Sequence, residues 1–272
     1  MPFLHAGHAV TWGAWHLEPS VLGGVLIVLG LYVYALTLEA EPQRWWRPAV
    51  FALGAFVMAL ALVSPLDAGA GRLLSLHMLQ HVLLTTVGPP LVLLSLPPTA
   101  LRRLFNQPLL SRPLIFVTTP IVAAIVFSVN MWLWHAPPAY STALTSLPVH
   151  IAMHIAFMAS GFIFWWPIIQ PLPERRISDG ARLLYLVITG FPMAILALLL
   201  LSSANVIYGY YAAPPHLWGV SPIIDQQIAG LIMGALGEAA SFIAVSLIFL
   251  RFIDREEPAE APFSRESVGP VR

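Results

Sequence analysis

RLLYLVITGFPMAILALLLLSSA, residues 182–204, carries no charged side chain after Arg182. Wound as an α-helix at 1.5 Å per residue it extends about 35 Å, enough to cross a hydrocarbon core of about 30 Å. Working outward from it, comparable apolar runs occupy 20–38, 48–64, 74–96, 113–134, 147–168 and 222–252. Hydrophobic residues make up 58% of the chain, charged residues 10%, and mean hydropathy is +0.79, so water is not its main solvent. The reading is all-α: a polytopic membrane protein folded as a bundle of seven transmembrane helices. Pro89-Pro90 interrupts the third run and should kink it, and the missing N–H groups free carbonyls that other helices must satisfy.

Charge orients the bundle. Arg44 and Arg47 fall in the first connection, Arg102, Arg103 and Arg112 in the third, and Arg175, Arg176 and Arg182 in the fifth. Arg251, Arg255, Arg265 and Arg272 follow the last run. Of the thirteen basic residues only Arg72 lies on the alternate connections, so the positive-inside rule expects the N-terminus outside and the C-terminus in the cytoplasm. Three regions follow. An extracytoplasmic N-terminal segment covers 1–19 and lacks the basic and apolar regions of a cleaved signal. The transmembrane domain covers 20–252, and a cytoplasmic tail over 253–272, rich in Pro, Glu and Arg, reads as disordered.

Composition also narrows the chemistry. The formal net charge is zero and no basic stripe is interleaved with aromatics, which argues against nucleic acid as a partner. Cysteine is absent, so disulfides and thiolate chemistry are excluded and any metal must use His, Met or carboxylate ligands.

On this topology all nine histidines fall on the outer side. His5, His8 and His16 precede the first run, and His216 lies in the last outer connection; these four read best as solvated loop residues. His77 and His81 open the third run, His135 ends the fourth, and His150 and His154 open the fifth. HMLQH at 77–81 and HIAMH at 150–154 each set two imidazoles at i and i+4, one turn apart on one helix face, a spacing suited to sharing an ion. Imidazoles inside a membrane usually face a bundle interior, a cavity or a partner. The bland alternatives are an interfacial pair bonded to loop carbonyls and, for His135 in WLWHAPP, a structural cap beside the tryptophan belt.

Imidazole serves several metals, whereas thioethers select Cu(I). Met78, Met131 and Met153 flank the histidines. Met131, four residues before His135, shares its face and is the thioether candidate, while Met78 and Met153 turn about 100° from their neighbours and read as packing. Asp225, in DQQ at 225–227, either caps its own helix or orients a ligating histidine. Glu238 lies about 20 Å further along that helix, deep in the bundle, where it binds a helix partner or carries a proton. No GxSxG, HExxH or phosphate-loop pattern occurs.

Four stretches together resemble the CtaG family of cytochrome c oxidase assembly factors: HMLQHVLLTTVGPPLVLLSLP at 77–97, WLWHAPPAYSTAL at 132–144, HIAMHIAFMASGFIFWWPII at 150–169 and DQQIAGLIMG at 225–234. The resemblance covers most of 20–252. It implies a multi-pass protein of the bacterial plasma membrane that matures a haem-copper oxidase, whose subunits are its partners, with a part in supplying copper. Residue by residue, the family's motifs fall on His77 and His81, His135, His150 and His154, and Asp225 with Gln226. Two departures stand out: Met153 occupies a place where the family often has an acidic residue, and GALGE replaces its W-x-P-G stretch.

The leading expectation is a non-enzymatic copper carrier using His77, His81, His135, His150 and His154, with Met131 and Asp225 as secondary candidates. The competing readings are a zinc-dependent membrane hydrolase with Asp225 as general base, a haem held between facing histidines, and a metal-free assembly scaffold.

Overall fold

A computed structural model describes residues 13, 15, 17–39, 44–172, 176–213 and 216–256. His5, His8, His16 and the tail beyond 256 lie outside the described residues. Every regular element among the described residues is helical. In chain order these are α1 (Pro19–Thr37), α2 (Trp46–Val63), α3 (Pro65–Ala70), α4 (Leu74–Ser95), α5 (Pro98–Phe105) and α6 (Ser111–Val117). They are followed by α7 (Pro120–His135), α8 (Pro137–Thr145), α9 (Leu147–Ile169), α10 (Asp179–Ser202) and α11 (Pro222–Asp254). Prolines open α1, α3, α5, α7, α8 and α11, where the missing N–H costs nothing and the fixed φ is already helical.

Six of these helices, α1, α2, α4, α9, α10 and α11, are long and apolar enough to cross a membrane, and the bent pair α6–α7 makes a seventh if counted as one span. The chain is a multi-pass membrane protein. Its outward faces are apolar: Leu26 is 69% exposed, Ile121 76% and Phe242 69%, which suits hydrocarbon and not water. The run over 113–134 is not one straight helix, as the sequence suggested. It bends by 72° between α6 and α7 because Thr119, pushed to extended backbone by the ring of Pro120, cannot continue the helix.

α1 packs on α2 through Tyr32, whose ring stacks on Phe51 at 3.6 Å and whose hydroxyl donates to the Ser95 carbonyl at 3.3 Å. α4 crosses the bundle with a π-helical turn over Leu83–Val87, just before Pro89-Pro90. Pro89 has no N–H for the carbonyl of Thr85, and Trp165 of α9 supplies the donor instead, its Nε1–H reaching that oxygen at 3.2 Å. α9 comes close enough because Gly161 faces the turn, where a Cβ would lie 2.8 Å from the Thr85 oxygen. The expectation that neighbouring helices satisfy carbonyls freed by Pro89-Pro90 thus holds at Thr85. α11 contains a second π-helical turn, Ile232–Leu236.

Candidate metal centre

α4 starts at Leu74 behind Leu73, an extended residue whose side chain cannot cap. Its first N–H groups need a partner, and Asp225 of α11 provides one: Oδ2 accepts from Leu74 at 2.6 Å and Oδ1 from Ser75 at 3.1 Å. Asp225 therefore caps the histidine-bearing helix and not its own. Both carboxylate oxygens are engaged there.

One turn into α4, His77 and His81 lie against α9. Their ring centroids are 4.4 Å apart, the His150–His154 pair is also at 4.4 Å, and the two pairs face each other with His77–His150 at 5.6 Å and His81–His154 at 5.7 Å. His135, at the end of α7, brings its ring within 6.2 Å of His81. All five rings are buried, and His77 has no exposed surface. The tightest group is His77, His81 and His154, each offering a ring nitrogen within 4.8 Å of the other two. Of the sequence candidates, these three converge on one point and His135 and His150 flank it. His216 is exposed.

Tyrosines that the sequence reading passed over complete the surround. The hydroxyls of Tyr140 and Tyr211 each lie 2.9 Å from Nδ1 of His77 and 3.3 Å from each other. Tyr211 donates to the Ala70 carbonyl at 2.9 Å, so its oxygen is left to accept. Burial pushes both hydroxyls well above the ordinary tyrosine range, which keeps them protonated. Tyr208 donates to the His135 carbonyl at 2.7 Å. The loop carrying Tyr208 and Tyr211 is held by Gln226, which accepts from the Ile207 N–H at 2.7 Å and donates to the Asn205 carbonyl at 3.2 Å. Tyr140 lay inside the quoted WLWHAPPAYSTAL motif, and the cluster YGYY at 208–211 was the signal for the other two.

The fit to a metal can be tested on His81. Both its ring nitrogens are buried with no hydrogen-bond partner, an expensive arrangement for an imidazole unless something else takes up a lone pair. Ring nitrogens within 4.8 Å of one another stand close to the spacing, at most about 4 Å, that two ligands with bonds near 2 Å can span, so a small side-chain movement would let them share an ion.

Residues 30–255 match the cytochrome c oxidase caa3 assembly factor family, Caa3_CtaG. The chain belongs to this family. It is also similar to uncharacterized proteins of Mycobacterium bovis and Mycobacterium tuberculosis, each 25% identical over 245 residues and covering 82% of this chain. A Mycobacterium leprae protein, likewise uncharacterized, is 27% identical over 253 residues and covers 85%. The matches span only 37%, 37% and 38% of those three proteins' own lengths, so the relatives are much longer chains. No solved structure matches.

Within the Caa3_CtaG chain, two further residues singled out in the sequence make other contacts. Met131 contributes its carbonyl, which accepts from Nδ1 of His135 at 2.7 Å. Glu238 lines a separate small cavity of about 10 Å³ with Thr86, Thr189 and Ser241.

Proposed function

We propose that this member of the Caa3_CtaG family binds copper at His77, His81 and His154, flanked by His135 and His150, and assists its supply to a haem-copper oxidase. The observation that carries the reading is the buried triad of ring nitrogens within 4.8 Å, contributed by α4 and α9, with α4 capped by Asp225 and His77 met by Tyr140 and Tyr211. The family's role in oxidase assembly supplies the recipient, the oxidase subunits being the protein partners and the lipid bilayer the medium. In this reading the histidine end of the bundle faces the outer side of a bacterial plasma membrane, with the N-terminus outside and the C-terminus inside, an orientation that the arginine distribution supports.

In this reading the protein is a carrier and not an enzyme. For His77 to ligate through Nε2, its Nδ1 must hold the proton, and the oxygens of Tyr140 and Tyr211 receive it; partners of this kind fix the tautomer of a ligating histidine. Bound copper would be held in a water-poor pocket by neutral imidazoles.

The test is metal analysis of the purified protein after exposure to copper and to zinc, with oxidase assembly followed in cells. Copper bound per chain, lost in His77→Ala plus His154→Ala together with assembled oxidase, is the expected result. A protein that holds no ion, with oxidase assembly unchanged in the double variant, would sink the reading. Zinc held in preference to copper would return the site to the zinc reading.

A further inference from the structure

Met78 stands next to His77 in sequence and turns about 100° away from it on the helix. What it turns toward is His135 of α7: its Sδ lies 3.4 Å from Nε2 of that ring. The other ring nitrogen, Nδ1, lies 2.7 Å from the carbonyl oxygen of Met131, and a carbonyl only accepts, so Nδ1 carries the proton. In the neutral ring Nε2 is then a bare lone pair, and a thioether has no hydrogen to offer it. Two lone-pair donors are in contact. Met78 is completely buried and His135 is 4% exposed, so solvent does not separate them.

A second proton on His135 would relieve the contact only by burying an imidazolium close to the ring of His81, 6.2 Å away, a costly arrangement. A soft cation relieves it at no such cost, because an imidazole nitrogen and a thioether sulfur are both its ligands.

We propose that Met78 Sδ and His135 Nε2 form a soft-metal subsite beside the histidine triad, selective for a monovalent ion such as Cu(I) over Zn(II). The identity of the natural ion rests on the copper reading above; the nitrogen–sulfur donor set does not. His81 of the triad is near both groups, its ring 4.4 Å from His77 and 6.2 Å from His135, with neither nitrogen engaged in a hydrogen bond. It can serve the triad or the pair, which gives an ion a step from one to the other without leaving the protein.

The experiment is X-ray absorption at the copper edge on the full chain loaded with Cu(I), for the unaltered protein and Met78→Leu, with Ag(I) and Zn(II) affinities measured on the same preparations. Leucine conserves volume, so the fold tolerates it. A sulfur scatterer in the unaltered protein that disappears in Met78→Leu is expected, with nitrogen scatterers kept. Ag(I) affinity should fall at least about tenfold, the low end of what loss of even an indirect partner costs a metal site, and Zn(II) affinity should hold. A nitrogen-only shell in the unaltered protein, or a sulfur that persists in Met78→Leu, overturns the subsite and leaves the histidine triad standing. Absence of any bound copper or silver counts against both.

Discussion

Asp225 closes the N-terminus of the helix that carries His77, taking the Leu74 N–H at 2.6 Å across 151 residues of sequence, while its second oxygen takes that of Ser75. The contact ties the last span to the third and sets the height at which the imidazoles enter the bundle. An asparagine keeps one acceptor and turns an NH₂ group toward the other N–H. Asp225→Asn should therefore cost about 1.5–3 kcal/mol, the range for a hydrogen bond to a charged group. It should also lower metal affinity about 10- to 100-fold, as loss of an indirect partner does. Thermal unfolding of the purified protein checks the first and metal titration the second; a variant of unchanged stability would show that the cap is idle.

The triad makes a sharper demand. His77, His81 and His154 each hold a ring nitrogen within 4.8 Å of the other two, so removing any one leaves a two-ligand site. Alanine at each position should weaken copper binding in equilibrium dialysis by removing the ion held at the triad, whereas His216→Ala, at an exposed position, should bind like the unaltered chain. Equal loss in all four variants would mean that binding is not local to the triad.

How much of this was legible in the sequence depends on the range of the interaction. The i,i+4 spacing of His77–His81 and His150–His154 is local helix geometry, and the pairing of the two pairs follows once both open a span from the same side. The bend at Thr119-Pro120 was also local, but apolar composition masked it, because a run over 113–134 looks continuous by hydropathy alone. The cap that Asp225 places on α4 was hidden for a different reason. A cap is normally sought within a few residues, and here the partner N–H groups are supplied by packing between α4 and α11. The contact of Met78 escaped in the same way. Spacing relates a methionine to histidines of its own helix, and the thioether that meets His135 comes from another.

Tyr211 separates the part of the site that holds the fold from the part that tunes the metal. Its hydroxyl donates to the Ala70 carbonyl at 2.9 Å and lies 2.9 Å from Nδ1 of His77. Tyr211→Phe deprives the carbonyl of this donor and the imidazole of this partner, at an expected cost of about 1–3 kcal/mol in unfolding free energy. Tyr140→Phe takes away one of the two hydroxyls beside His77 and leaves Ala70 bonded, so its effect on stability should be smaller. Silver titration should find both weakened and the Tyr211 variant more so. The reverse order would place the controlling hydrogen bond on Tyr140.

Gly161 tests whether the close approach of α4 and α9 matters to the metal centre. A Cβ there would stand 2.8 Å from the Thr85 oxygen and 2.9 Å from its Cα, both backbone atoms that cannot rotate aside. Thr85 lies one turn beyond His81, and Gly161 seven residues beyond His154, so the two helices that carry the triad must separate to admit the methyl. The same movement would stretch the bond from Trp165 to Thr85, now 3.2 Å. Gly161→Ala should lose about 1–3 kcal/mol, as overpacking does, together with metal affinity. Gly24→Ala is the control, since nothing lies within 4 Å of that position in α1, and replacing a mid-helix glycine there should gain about 0.5–1 kcal/mol. Equal melting temperatures for the two variants would show that α9 can retreat from the π-helical turn without penalty, and that the triad is not held by this contact.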